Sequence, residues 1–507
     1  MNNNRSLFLA SFFTLIAAGI GFSIRGAIPD EWGAKFGFTK GQLGDLTGAG
    51  LVGFGFTIIA CSLIADRVGY KALMVLAFLL HSGSAVVTFA ASPLFTAMGG
   101  SEAGKEAAYW CLFVGAFMFS LANGVCESVI NPLVATLYPQ QKTHYLNILH
   151  AGWPGGLIVG GILALCFCGS DAYVQSLPWE ATSAFFLPPV LYYGYVIFKE
   201  SFPISEAKAA GVSFATMLAE FASPILLLLF LLHAMVGYVE LGTDGWIQDI
   251  MKGSIGKSAT WLFIWTSGIM FALRFFAGPI VEKINPLGLL LISAILGCVG
   301  LYALGTVEGM AIIAAGTIYG IGKTFYWPTM LGVVGERYPK GGALTMGTIG
   351  GIGMLSAGIL GGPGIGYFQD KYASENLSQH SAALYAETKA NTSKHFLFWP
   401  AVSGLDGQKV GEAMKKEQEL KKTLAEGKPV SEADKLSQAE EQIVNANLYG
   451  GRMALKVTAA VPAMMAIGYL LLVLYFRAKG GYQVEVLHGQ KPEGEHYTGG
   501  MEGPGEG

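Results

Sequence analysis

Residues Ser62–Gly69 read SLIADRVG, and residues Gly278–Asn285 read GPIVEKIN. Each stretch follows a long apolar run, and each has the order small, three residues, acid, base, one residue, small or polar. One charged signature in the same place after the second apolar run of each half is the mark of a chain built from two parallel halves. The surrounding sequence says what those halves are. The chain has 507 residues, of which 52% are hydrophobic and 13% charged, and its mean hydropathy is +0.48. Soluble domains carry about 25% charged residues, so an ordinary water-soluble fold is excluded.

A helix needs about 20 mostly apolar residues to cross the hydrocarbon core. Twelve segments qualify: 7–28, 44–64, 72–91, 110–136, 146–168, 183–199, 221–243, 259–281, 287–306, 309–334, 343–366 and 453–476. The expected organisation is a first six-helix bundle over 1–199, a polar linker over 200–220, and a second six-helix bundle over 221–476. Residues 367–451 form a solvated outer insertion with short surface helices, Ser431 to Asp434 having capping-box spacing. Residues 477–507, rich in Gly and Glu, form a disordered tail. Lys and Arg concentrate in the connections that lie on one side, from Arg5, Arg67 and Lys71 to Arg337, Lys340, Arg477 and Lys491. The opposite loops carry only Lys35, Lys40, Lys105, Lys252 and Lys257, which places both termini in the cytoplasm.

A second pair of segments supports the repeat. ESVINPLVATLYP ends the fourth span, and KTFYWPTMLGVVGERYP the tenth. Glu127 precedes Pro132 by five residues, as Lys323 precedes Pro328. The fold class is therefore an all-α membrane protein, with twelve transmembrane helices in two pseudo-symmetric six-helix bundles. In such proteins the substrate site lies near the midplane, between the halves.

Residues 62–71, SLIADRVGYK, resemble the loop motif of the major facilitator superfamily, Gly-x-x-x-Asp-Arg-x-Gly-x-Arg/Lys, with Ser62 in place of the first Gly. Asp66, Arg67, Gly69 and Lys71 match, and Glu282 and Lys283 stand in the repeated copy. The resemblance implies a secondary transporter working by alternating access, these residues biasing its conformations. Asp66 is expected to face the positive N-terminus of a neighbouring helix, and Arg67 a carboxylate across the gap between halves. Glu-x-x-x-Asn-Pro at 127–132, followed by LNILHAGWPGG at 146–156, resembles the fucose–galactose–glucose proton-symporter branch. That likeness implies sugar binding and proton coupling at Glu127. The chain departs from the branch in its first span, which has no acid and contains Arg25.

Asn123, Glu127 and Asn131 recur at i, i+4 and i+8 on one helical face. Polar side chains in a membrane bundle face the interior or a wet cavity. Further candidates for substrate binding or coupling are Asn147, His150 and Trp153 in span five, and Glu240 and Asp244 in span seven. Trp265 in span eight and Lys323, Tyr326 and Trp327 in span ten complete the set. Indole faces stack on sugar CH groups, and amides and carboxylates hydrogen-bond hydroxyls, so the mixture suits a polyol. Arg25 either pairs with Glu127 or binds an acidic substrate. His233 is as readily a packed residue as a ligand, and Arg274, read as near the cytoplasmic end, snorkels to the surface.

The leading reading is proton-coupled sugar uptake. The alternatives are an organic-anion or acidic-sugar transporter, with Arg25 and Lys323 as charge partners, and a membrane receptor that does not transport. The expected partners are a small-molecule substrate, protons and the lipid bilayer of a plasma (bacterial inner) membrane. A net charge of −3 gives no nucleic-acid surface. No nucleotide motif, cofactor motif or metal-ligand cluster is present, and the six cysteines lie in or beside apolar runs, as packing residues do.

Overall fold

The computed structural model describes residues 3–38, 42–43, 46, 50–169, 172–256, 258–431 and 434–487. Outside these lie the expected start of the second span at 44–45 and 47–49, Lys40, Lys257, Lys491 and the end of the tail from residue 488. The first half comprises α1 (Asn3–Ala27), α2 (Gly50–Val68), α3 (Tyr70–Phe89), α4 (Glu102–Leu137), α5 (Lys142–Phe167) and α6 (Trp179–Lys199). In the second half, α7 is Pro224–Ile255, and α8 runs over Ser258–Arg274 and on through 277–284. Next come α9 (286–304), α10 (Ala311–Lys323 with Tyr326–Arg337), α11 (Pro339–His380) and α12 (Gln438–Ala478). Among the described residues, nine helical stretches are long and apolar enough to cross a membrane. α2, α8 and α10 are not among them; α8 and α10 are interrupted, and the expected start of the second span lies outside the described residues.

In the first half α1 packs on α5 and α6, and α4 on α2 and α3; in the second α9 packs on α10 and α12, and α7 on α11. The halves meet along α2–α11, α5–α8 and α5–α10. The repeated signatures sit at equivalent places in that interface. Ser62 Oγ abuts Gly347 of α11, where a Cβ would collide with it, and Gly278 N–H donates to His144 Nδ1 of α5 at 3.0 Å. Each signature thus begins with a small residue that lets two helices approach across the halves.

One end of the bundle carries both described chain ends, Asn3 bonding Ser201 and Tyr482 bonding Glu336. Here Asp66 faces the first turn of α11, its Oδ2 3.1 Å from where a Cβ on Gly342 would sit, with the Ala343 N–H and Ser205 hydroxyl beside it. That is the expected helix N-terminus contact. Gly69 turns the chain at φ 92°, a conformation that favours glycine, and Lys71 donates to Glu200 O at 3.0 Å. Arg67 departs from expectation. It lies 4.6 Å over the ring of Phe214 in the linker and forms no ion pair among the described residues. Glu282 and Lys283 are exposed and likewise unpaired. The turn after them is made by Asn285 (φ 54°), whose Oδ1 accepts from Gly288 N–H as Pro286 opens α9.

The tail, read from sequence as disordered, begins as structure, and the insertion, read as solvated with short surface helices, is more than that. Residues 477–487 do not leave the protein: α12 continues to Ala478, Glu485 N–H bonds Glu336 O at 2.8 Å, and the Glu485 carboxylate pairs with Arg337 at 2.8 Å. The insertion is a folded cap. α11 has 42 residues and α12 has 41; at 1.5 Å per residue each is about 60 Å long, twice the hydrocarbon core. Their polar extensions pack together beyond the bundle, joined by the helices Ala382–Thr388 and Gly407–Ala425 and a hairpin of β1 (Lys394–Phe396) and β2 (Trp399–Val402). Leu377, Ala413, Ile443, Val444 and Ala446 form its core.

A capping box is formed at Ser437 and Glu440; at Ser431 and Asp434 the Ser431 N–H donates to the Asp434 carboxylate at 3.3 Å, the residues between them lying outside the described ones. Ser437 N–H donates to the Glu440 carboxylate at 2.7 Å, and Lys416 at 2.9 Å, which pulls the Glu440 carboxyl from 4.5 down to about 2. A lowered carboxyl contributes stability above its unfolded value and loses it as pH falls through its folded one. The cap should therefore be indifferent between pH 7 and 5 and loosen only as pH drops from about 4 towards 2. Ser437→Ala should weaken the first turn by about 1 kcal/mol, read as roughly fivefold faster amide exchange in residues 440–446 with the bundle unaffected.

Candidate functional site

Two prolines shape the centre of the bundle, each removing a hydrogen bond from the carbonyl four residues before it. Pro154 in α5 leaves His150 O free, and Pro328 in α10 leaves Thr324 O free. Both oxygens are taken by one side chain. Arg274, 1% exposed, donates from Nη1 to His150 O at 2.6 Å and from Nε to Thr324 O at 2.8 Å. Its Nη2 donates to Glu240 Oε1 at 3.1 Å. The guanidinium reaches this depth because α8 does not end near residue 281; it breaks after Arg274 and continues through 284. The sequence reading of a snorkelling arginine is corrected accordingly. The available signal was the pair of prolines, each four residues beyond an orphaned carbonyl.

A cavity of about 30 Å3, room for about two waters, lies beside this arginine between the halves. Asn123, Glu127, His150, Trp153, Glu240 and Trp327 line it, together with Thr14, Phe54 and Arg274. Glu127 Oε2 accepts from Asn131 Nδ2 at 2.7 Å, and the Asn131 amide oxygen accepts from His150 Nε2 at 2.8 Å. Asn131 thus stands behind the cavity wall and joins Glu127 to the histidine whose carbonyl Arg274 holds. Glu240 Oε2 has no partner among the described residues. Lys323 and Asp244, buried beside Glu240, form their own pair at 2.5 Å.

The irregular backbone around the cavity is concentrated in the second half. α7 carries a π-helical turn at Tyr238–Gly242 and continues to Ile255. α11 carries another at Ala357–Gly361, and the two turns touch through Gly242 and Gly361. Tyr319 OH donates to Val239 O at 3.0 Å and Ser356 Oγ to Ala234 O at 2.6 Å, so displaced carbonyls are bonded by side chains. Such turns recur at functional sites.

Four sequence candidates lie elsewhere. Asn147 bonds Thr329 Oγ1 at 3.1 Å and belongs to the α5–α10 contact. Tyr326 is buried within the second half, its OH on Ser293 O at 3.0 Å. Trp265 is 53% exposed on the bundle surface and donates to Thr317 at 2.9 Å. Arg25 does not pair with Glu127. Its guanidinium lies 4.0 Å over Phe119, in a separate cavity of the first half. His233 packs on Trp327, ring centroids 4.6 Å apart, and neither ring nitrogen has a partner.

Arg274→Met should expose how much the centre depends on this residue. It leaves two carbonyls unbonded and Glu240 without its cation, a loss of about 3–5 kcal/mol. The expected result is a clear drop in melting temperature in detergent, partly reversed by Arg274→Met/Glu240→Gln. An equal melting temperature for wild type and single variant would refute the assignment.

Residues 7–368 match the family model described as Major Facilitator Superfamily. Among solved structures, the chain is similar to a bacterial homologue of the human lysosomal transporter Spinster in an inward-facing conformation, with TM-score 0.61 and 15% identity over 95% of this chain and 99% of that one. It is similar to the E. coli fucose:proton symporter FucP, with TM-score 0.55 and 15% identity over 92% and 98%. A third similarity is to the human organic anion transporter MFSD10, with TM-score 0.55 and 13% identity over 92% and 100%. These identities carry the fold alone. No curated protein matches the chain in sequence.

Proposed function

The chain belongs to the Major Facilitator Superfamily and is a membrane transporter, not an enzyme; from that premise we propose that it couples proton movement to the uptake of a neutral polyhydroxylated substrate, a sugar or close analogue. The observation that carries this reading is the charge balance of the centre. Arg274 is paired with Glu240 and Lys323 with Asp244. Glu127 alone has no basic partner among the described residues, its neighbour being the neutral Asn131. Both cations are committed, so an anionic substrate would have to displace a carboxylate to be held. A proton on Glu127 removes the unbalanced charge, and a neutral substrate then enters a neutral site. The indoles of Trp153 and Trp327 and the free oxygen of Glu240 offer stacking and hydrogen bonding to CH and OH groups. The fucose:proton symporter among the similar structures has the same fold.

In this reading the substrate passes by alternating access, the halves rocking about the midplane site. Asp66 holds one end of the α2–α11 contact, Gly69 turns the chain into α3 and Lys71 ties α3 to Glu200, and the residues around Glu127 sense the proton. Both termini are assigned to the cytoplasm and the cap to the outside, in a plasma (bacterial inner) membrane. An impermeant thiol reagent added to intact cells should label cysteines placed at Gly104 and Lys415 and spare one at Ala209; the reverse pattern would invert the protein.

The coupling role is tested in proteoliposomes with a panel of sugars and organic acids. Glu127→Gln cannot carry a proton through the cycle. It should keep exchange of the transported sugar between equal pools and lose accumulation driven by a pH gradient. Gradient-driven accumulation at the wild-type level in the folded variant removes Glu127 from coupling. Uptake of organic acids alone by the wild type would favour the organic-anion alternative, with Arg274 released from Glu240 to hold the substrate.

A further inference from the structure

Arg25, freed from the central site, lies in a setting that a lone packing residue does not explain. It borders a cavity of about 20 Å3, room for about one water-sized particle, enclosed within the first half. Four elements converge there: α1 with Arg25, α3 with Thr88, α6 with Ser183, and the short helix Pro29–Phe36 with Trp32. Three polar atoms on the lining residues have no partner among the described residues: Trp32 Nε1, Ser183 Oγ, and Thr88 Oγ1, which lies against Gly115 of α4. Trp32 is 3% exposed and Thr88 8%, so bulk water does not supply what is missing. Buried donors in a folded protein are almost always bonded, and three unbonded ones around one small cavity mark it as a site whose occupant accepts hydrogen bonds.

The charge has the same sign. Arg25 makes no ion pair among the described residues; its one hydrogen bond is a long one, from Nη1 to Ala116 O at 3.4 Å. The neighbouring acids whose side chains are described, Glu31 and Glu180, are engaged elsewhere. Glu31 accepts from Gly169 N–H at 2.9 Å, and Glu180 pairs with Lys35 at 2.8 Å and accepts from Ser92. His81, on α3 below the cavity, holds Tyr193 OH at 2.7 Å and Asn123 Oδ1 at 3.0 Å with its two ring nitrogens. An indole and a guanidinium can only donate, and the two hydroxyls are free to do so. A cavity whose indole and guanidinium can only donate and whose two hydroxyls can turn to donate, with a cation on its wall that has no ion pair among the described residues and room for one small particle, fits a monatomic anion; a water could bond the hydroxyls but would leave the charge uncompensated.

We propose that this cavity is a halide site, occupied by chloride, that neutralises Arg25 and pins α1, α3, α6 and the helix at 29–36 together. It is separate from the central cavity and independent of which substrate that cavity takes. Chloride there stabilises the first half, since a ligand that binds only the folded state raises its stability with concentration.

The test is thermal melting of the purified full-length protein at constant ionic strength, with sodium gluconate replaced stepwise by chloride or bromide. The expected result is a saturable rise in melting temperature with either halide, absent in Arg25→Met and diminished in Thr88→Val/Ser183→Ala. The double hydroxyl variant keeps the cation and the packing, so the comparison stands if Arg25→Met fails to fold. Bromide at this cavity should also be visible by its anomalous scattering in crystals. A wild-type melting temperature that is the same in gluconate and halide, or a halide response undiminished in the hydroxyl variant, overturns the site.

Discussion

One guanidinium ties the centre of this protein together. Prolines break hydrogen bonds in α5 and α10, and each break leaves a carbonyl that lipid cannot satisfy. Arg274 bonds both, one from each half, and spends its remaining charge on Glu240. A lysine has one charged nitrogen and no planar fork, and it would not span three acceptors in this geometry. The breaks in α8 and α10 are placed where they are because this side chain must reach between them. The cavity, the position of Glu240 and the closeness of the halves at the midplane all follow from that constraint.

The two halves repeat in sequence but not in charge. The first half contributes to the cavity one carboxylate and a run of amides and imidazole, Asn123, Glu127, Asn131 and His150, on regular helices. The second contributes two ion pairs on helices broken or widened at α7, α8, α10 and α11. The equivalents Glu127 and Lys323, each five residues before a proline, therefore have different fates. Lys323 is neutralised at once by Asp244, whereas Glu127 is left with an amide. A site with one carboxylate outside its ion pairs, among the described residues, has a natural point at which a proton would change the energetics of the whole.

The fold was legible because its signals are long-range and redundant: apolar runs of membrane length, paired signatures at 62–69 and 278–285, and paired prolines at 132 and 328. The polar face of α4 was legible for the same reason, since Asn123, Glu127 and Asn131 obey one helical period. What escaped was set by tertiary packing. Arg274 looked peripheral because an apolar count ends α8 near 281, and hydropathy does not register a helix that breaks and resumes. Arg25 looked central because sequence gives depth in the membrane but not which way a side chain leaves its helix. The insertion was read as short surface helices and not as a packed cap because residues 367–380 and 438–452 are polar, and an apolar window cannot see the two long helices extending past the bilayer to stabilise one another.

The seam between α5 and α10 joins the chemistry to the motion. At the end of the bundle near the termini, Lys142 Nζ donates to Gly335 O at 3.1 Å and Thr143 N–H to the Glu336 carboxylate at 3.0 Å. One turn further in, Asn147 bonds Thr329. At the midplane, His150 O and Thr324 O share Arg274. Positions 143, 147 and 150 lie on one face of α5, so the seam is a row of polar rungs and not a greasy contact. Polar rungs are made or broken one at a time, and each must find water when the seam opens, which lets the two states lie close in energy. The innermost rung belongs to His150, whose ring is bonded through Asn131 to Glu127. In the proposed coupling, a proton arriving at that carboxylate would act on the hydrogen-bonded row that holds the two halves together at this end.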